Sequence, residues 1–281
     1  METVNVKASD IQINVNGTTL CFDDFGVGEM PMIFIHGFPF NKSTWEPQMA
    51  FFQKTHRVIA YDIRGFGASL AGKEKASITL FADDLVRFMD AMGIEKAIVC
   101  GFSMGGYILL NAVQRYPDRF EAIILADTQC IPDSEMVREK RSETILHIEA
   151  NGLKMFADGF IKNVFTPHSL DSKKEMVEMT RKIMLNTPSE TVTSGLSALA
   201  ERAEMCTLLK DLFIPSLIIC GRQDMVTPLA QSESMHTELA HSVLNIIEKA
   251  GHLSNLEQPK MFNKAIEDFV LNLKENDPLS I

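Results

Sequence analysis

The chain has 281 residues, 46% of them hydrophobic and 23% charged, and carries a formal net charge of −10. That balance is ordinary for a soluble globular protein, and the negative charge counts against nucleic acid or an anionic membrane as partner, because both are bound through clustered Lys and Arg. The opening stretch METVNVKASDIQINV has no basic segment leading into an apolar one, and no later stretch is apolar over about 18 residues. A cytoplasmic protein is the expectation if this is the native N-terminus, and the oligomeric state is not legible.

In chain order, short runs rich in Ile and Val alternate with longer helical patterns, which is how a parallel sheet wrapped by helices reads. The predicted strands are Ile11 to Val15, Thr18 to Asp24, Met32 to Ile35, Arg57 to Tyr61, Ala97 to Cys100, Ala122 to Ala126, Leu217 to Cys220 and Val243 to Ile247. The first two, split by Asn16-Gly17, read as an antiparallel edge hairpin. Helices are predicted over Ser77 to Met92, Met104 to Arg115, Pro228 to Ala240 and Pro259 to Leu273, and the tail from Glu275 is expected to fray.

The alternation breaks once, between Asp127 and Pro215, where several helical patterns follow one another without a strand. The expected organisation is therefore a core of residues 1–127 and 216–281 with a helical lid at 128–215. Inside the lid, Thr187-Pro188-Ser189-Glu190 reads as a capping box that starts a helix. The five cysteines show no CxxC spacing and sit mostly in apolar runs, so they read as small core residues and not as disulfides. No zinc spacing and no HExxH is present, so neither a metal nor a cofactor is expected.

Chemistry concentrates at Gly101-Phe102-Ser103-Met104-Gly105-Gly106. Gly-x-Ser-x-Gly in a tight turn between strand and helix can hold a serine in a strained, projecting conformation, with the glycines letting the helix pack back on the strand. The helix start offers the Met104 N–H to a developing oxyanion. A second donor is needed, and Phe38, after the strand end His36-Gly37 and before Pro39, supplies it by position. His36 itself reads as a structural residue at a strand terminus.

A serine nucleophile needs a base, and the base needs an orienting carboxylate. Of seven histidines, His252 follows the last strand, at the sheet edge where ligands gather. His56 starts a strand, His147 and His168 lie in the lid, and His236 and His241 flank a helix end. Asp224, just beyond the seventh strand, is the candidate acid; Asp127, at the end of the sixth, is its rival. Glu257 reads as an anchor of the His252 loop. Phe40 and Trp45 are candidates for lining the acyl pocket, although core packing suits both equally.

These pieces, HGFP at 36–39, YDIRGFGAS at 61–69, GFSMGGY at 101–107, GRQD at 221–224 and GHLSNLEQP at 251–259, together resemble the α/β-hydrolase superfamily. The resemblance is to its cofactor-free group of 3-oxoadipate enol-lactonases, aryl esterases, perhydrolases and carbon–carbon hydrolases. It implies an eight-stranded, mostly parallel sheet with an inserted helical lid, a triad of Ser103, Asp224 and His252, and hydrolysis of a small-molecule ester or lactone through an acyl-enzyme. Asp62 and Arg64 fall in a segment that is usually a structural turn in that family. Ser103 sets the chain apart from haloalkane dehalogenases and epoxide hydrolases, which resemble it but use Asp as nucleophile. Carbon–carbon hydrolases typically carry Asn where Phe102 stands, which ranks that reading second. A catalytically weak small-molecule receptor on the same scaffold is a third. Pro39 is similar to what perhydrolases carry and hints at a peracid side activity. The lid's Met136, Met155, Met176, Met179, Met184 and Met205, with Phe156, Phe160 and Phe165, allow an adaptable apolar pocket.

Overall fold

The computed structural model describes residues 8–275. In chain order it places β1 at Ala8–Val15, β2 at Thr18–Phe25, β3 at Met32–Ile35, α1 at Glu46–Phe52, β4 at Val58–Tyr61, α2 at Ile78–Ala91, β5 at Ala97–Phe102, α3 at Met104–Arg115 and β6 at Phe120–Ala126. Six helices follow without a strand: α4 Glu135–Asn151, α5 Lys154–Val164, α6 Pro167–Ser172, α7 Lys174–Asn186, α8 Ser189–Ala200 and α9 Cys206–Leu209. The sheet then resumes with β7 at Ser216–Gly221, α10 at Leu229–Glu238, β8 at Ser242–Ile247, α11 at Ser254–Glu257 and α12 at Pro259–Glu275. Glu275 is helical, and the rest of the tail expected to fray lies outside the described residues.

The eight strands form one sheet in the order β1-β2-β4-β3-β5-β6-β7-β8, antiparallel at β1-β2 and β2-β4 and parallel from there on. The central strands β3, β4 and β5 carry no charged residue and are buried along their whole length because both faces are covered. Ile33, Ile35, Val99, Ile123 and Ile218 point to one face, beneath α2, α3 and α10. Their neighbours in sequence, Phe34, Ile98, Ile124 and Ile219, point to the other, beneath α1 and α12. Helix α2 starts where Ser77 accepts the N–H of Leu80 (3.1 Å), an ordinary N-cap. Helix α1, with Pro in its first turn, is too short to stand out by periodicity.

Two sequence expectations are corrected here. Cys130 and Cys206 form a disulfide that spans 76 residues and joins the two ends of the helical insertion, whereas Cys21, Cys100 and Cys220 are buried free thiols. Spacing in sequence carries no information about a pairing that only the return of the chain brings together. Helix α8 does start at Ser189, yet the Thr187 hydroxyl donates to the Ile183 carbonyl at 3.0 Å. It satisfies the end of α7 and leaves the capping box unmade. The base of the insertion is held by Asp133, which accepts from Arg141 (2.5 Å) and Arg202 (2.6 Å), while Arg202 lies 4.6 Å over the ring of Tyr107 in α3.

Candidate active site

Ser103 occupies the turn between β5 and α3 with φ 53° and ψ −114°, a strained conformation for a residue with a Cβ. The strain is imposed from both sides. The Ser103 N–H is taken by the Ala126 carbonyl of β6 (2.9 Å), and its carbonyl accepts from the Thr128 hydroxyl (2.8 Å). Three glycines let α3 fold back this tightly: a Cβ on Gly101 would strike the Gly105 carbonyl, one on Gly105 the Ile35 carbonyl, and one on Gly106 the Thr128 side chain. As the first residue of α3, Met104 has no acceptor for its N–H within the helix.

The turn after β3 lies against this elbow. A Cβ on Gly37 would sit 2.7 Å from the Phe102 ring and 3.0 Å from Ser103 Cβ, so the backbone of Gly37 and Phe38 approaches the serine as closely as a glycine permits. The turn closes with the Phe40 N–H on the Gly37 carbonyl (2.9 Å). His36 is fully buried; its Nε2 accepts the Ile63 N–H (2.9 Å) and its Nδ1 contacts the Gly37 carbonyl (2.9 Å). Burial holds its pKa down at about 4, so it is a neutral strut. Asp62 takes the N–H groups of Lys42 and Ala68 (2.7 and 2.9 Å), and Arg64 grips Asp84 through two bonds of 2.7 and 2.6 Å.

His252 enters from the loop after β8, fully buried, with Nε2 2.9 Å from Ser103 Oγ and Nδ1 2.8 Å from Asp224 Oδ2. Asp224 Oδ1 accepts the N–H groups of Val226 (2.7 Å) and Thr227 (3.0 Å), and the Thr227 hydroxyl reaches Oδ2 at 2.8 Å. Burial pushes the Asp224 carboxyl up, but the adjoining imidazole and the Thr227 donors outweigh it and hold the acid below its usual range. Ser103 is 8% exposed. The acid and base loops press together so tightly that a Cβ on Gly221 would overlap the Gly251 carbonyl.

Sequence reasoning brings Ser103, Asp224 and His252 to one point, with Phe38 and Met104 beside them. Asp127 lies beside the relay without touching His252: its carboxyl group meets the Gly221 N–H (2.8 Å) and the Ser254 hydroxyl, while Asp224 holds the imidazole. Glu257 accepts the Gly251 N–H (2.6 Å) and also the Thr166 N–H and hydroxyl (3.0 and 2.7 Å), so it fastens the His252 loop to the helical insertion. Thr227, Ser254 and Thr166 escaped sequence reasoning. Only Thr227 carried a signal, as the residue three after an Asp in a turn, positioned to close an Asx-type turn.

Trp45 and Phe40 are both fully buried, and the wall of the cavity beside Phe38 includes neither of them. Trp45 packs among Phe34, Phe102 and Phe262, and Phe40 is stacked on Phe102 at 6.3 Å. An aromatic residue next to an active-site turn is equally good material for the layer beneath it. A cavity of about 680 Å³ opens between α4 and α5 of the insertion, walled by Phe38, Lys140, Glu143, His147, Met155, Phe156 and Phe160 among others, and its wall does not include Ser103 or His252. Of the other lid residues singled out, Met184, Met205 and Phe165 are packed inside, Met176 is partly buried, and Met136 and Met179 face solvent. His56 is half-buried at the start of β4, and His168, His236 and His241 are exposed. No helix among the described residues is long and apolar enough to cross a membrane.

Comparison with known proteins agrees with this architecture. The chain is 32% identical to 3-oxoadipate enol-lactonase 2 of Acinetobacter baylyi over 263 residues, covering 93% of this chain and 94% of the relative. Among solved structures, a thermophilic esterase from Thermogutta terrifontis superposes with a TM-score of 0.90 at 30% identity, covering 95% of this chain and 99% of that one. The enol-lactonase from Burkholderia xenovorans superposes with a TM-score of 0.86 at 28% identity, covering 93% and 100%. A family model for the alpha/beta hydrolase fold matches residues 30–259, and with the sheet order and the elbow already described, the chain belongs to the alpha/beta hydrolase fold family.

Proposed function

We propose that this protein is a serine hydrolase of small carboxylic esters or lactones, working through an acyl-enzyme on Ser103. The observation that carries the reading is the continuous relay Asp224–His252–Ser103, with links of 2.8 and 2.9 Å. The enol-lactonase and esterase relatives support the same substrate class.

The geometry supports the following sequence of steps. His252 Nε2 accepts the Ser103 proton as Oγ attacks the acyl carbon, and Asp224 holds the ring and stabilises the imidazolium that forms. The oxyanion is met by the N–H groups of Phe38 and Met104, preorganised by the Gly37 turn and the start of α3. The imidazolium then protonates the leaving alkoxide, which stays tethered in a lactone and departs in an ester, and a water activated by His252 releases the acid. Helices α4 to α9 act as the lid, and the cavity walled by Phe38, Phe156 and Phe160 holds the apolar part of the substrate. The carbon–carbon hydrolase reading has less support, because the Phe102 ring packs 5.0 Å from that of His252 and offers no polar group there.

The test is turnover of p-nitrophenyl acetate and of an enol-lactone by the purified protein and by Ser103→Ala. The variant is expected to keep its fold and to lose activity by at least about 10³-fold. Equal activity in the two proteins would remove Ser103 from the mechanism.

A further inference from the structure

Asp127 is a buried carboxyl group beside the relay to which the proposed mechanism gives no task. It leaves β6 with φ 45°, is fully buried, and its N–H is pinned to the Ile219 carbonyl of β7 at 2.8 Å. One oxygen takes the N–H of Gly221, three residues before Asp224, at 2.8 Å. The other meets the hydroxyl of Ser254, two residues after His252. The side chain therefore touches both loops that carry the relay, while the loops touch each other directly through the Gln223 N–H on the Ala250 carbonyl (2.9 Å).

We propose that Asp127 is a positioning residue that clasps the Asp224 loop to the His252 loop and keeps both in register with Ser103. The assignment rests on the hydrolase reading above.

Its charge state follows from its neighbours. Oxygen atoms of Asp127 and Asp224 lie within 4.8 Å of each other, and two buried carboxylates that close do not both ionise. Asp224 has an imidazole, two amides and a hydroxyl to stabilise its charge, whereas Asp127 has one amide and one hydroxyl. The groups facing Asp127 are the carboxyls of Asp224 and Glu257 and the thiols of Cys100 and Cys220, with His252 beyond Asp224. Burial first, and the Asp224 charge second, push the Asp127 carboxyl well above the usual range. Asp127 is thus the neutral acid of the pair, its proton shared with Ser254 Oγ. It fastens the loops without adding a second negative charge behind the base.

The experiment compares Asp127→Asn and Asp127→Ala with the wild type by kcat and KM on p-nitrophenyl acetate across pH, by Tm, and by NMR titration of the His252 ring protons. Asn mimics a neutral acid: its oxygen can take the Gly221 N–H and its amide can face Ser254. It is expected to keep kcat within about threefold, with the acid limb of the pH profile unmoved, while Ala loses about thirtyfold in kcat at nearly constant KM, the signature of a displaced catalytic group. Wild-type kcat in Asp127→Ala would overturn the clasp. A displacement of the acid limb in Asp127→Asn by more than about half a pH unit would overturn the neutral acid, because removing a real charge beside the imidazole must move its titration. Should Asp127→Ala not fold, Ser254→Ala removes one arm of the clasp and is expected to lower kcat about fivefold, and an unchanged kcat there overturns the proposal. If the wild type turns over no ester or lactone, the hydrolase reading fails by itself, while the NMR midpoints of the Asn variant and the wild type still test Asp127.

Discussion

The sheet and the helical insertion are built on different principles. Around Ser103 the backbone is the instrument: β3, β5 and α3 approach so closely that Gly37, Gly101 and Gly105 have no room for a side chain, and every residue of β3 and β5 is buried. The insertion mixes apolar packing, with Ile161, Met184 and Leu196 buried in the two cores, with a few strong side-chain links at its base. Its longest helix, α4, buries only Ile148 among its 17 residues, Met136, Leu146 and Met155 are more than 60% exposed, and its ends are secured by the Asp133 ion pairs and the disulfide. Close packing that leaves no alternative fixes a catalytic geometry, whereas separable links can be altered without disturbing the chemistry beneath them.

That contrast can be broken at the elbow. In Gly105→Ala the new methyl meets the Ile35 carbonyl of β3, so α3 must move away from the turn that carries Phe38. The expected loss in kcat is at least about a hundredfold, since misplacement by about 1 Å is enough for that. A variant with wild-type kcat and Tm would show that the elbow tolerates displacement.

A change at the base of the insertion should reach stability and leave the chemistry alone. Removing Asp133 strands the buried guanidinium of Arg202, and loss of one partner of a buried pair costs about 3–5 kcal/mol. Asp133→Ala is therefore expected to lower Tm by several degrees while kcat on the smallest esters holds. The same pair has a pH signature. Burial raises the Asp133 carboxyl, but Arg141 and Arg202 outweigh it and hold it below its usual value. A group depressed in the folded state contributes its full stability above its unfolded pKa of about 3.9 and loses it as pH falls through the folded value. Denaturant titrations between about pH 5 and pH 2 should show the wild type losing more stability than Asp133→Ala. Parallel curves would deny the pair that role.

The smallest effect is expected at the cavity. Phe160 is half-buried, stacked on Phe156 at 5.5 Å and 6.4 Å from Phe38. Phe160→Ala should raise KM for esters with a bulky apolar group about tenfold, which corresponds to about 1.4 kcal/mol of lost burial, and leave kcat on p-nitrophenyl acetate nearly unchanged. An unaltered chain-length preference would remove the cavity from substrate selection.

Much of the sheet was legible because its signals are local. Central strands covered on both faces run apolar, an edge hairpin alternates, and a serine between strand and helix needs glycines where the backbones cross. The order Ser103, Asp224, His252 followed from the same strand-by-strand reading. Trp45 and Phe40 were not decidable this way, because a large aromatic side chain serves a pocket wall and a core layer equally well, and only the position of α12 and the sheet puts Trp45 inside. Thr166 was beyond reach for another reason: its partner Glu257 is 91 residues away in sequence.

The sequence by itself marked out the sheet, the elbow and the candidate positions Asp224 and His252 after the seventh and eighth strands, since each depends on residue types within a few positions of one another. Only the tertiary structure decided which acid holds His252, that Cys130 pairs with Cys206, and that Asp127 lies between two loops it does not belong to. Those outcomes depend on separations of a few ångströms between residues far apart along the chain. No local pattern encodes a distance of that kind.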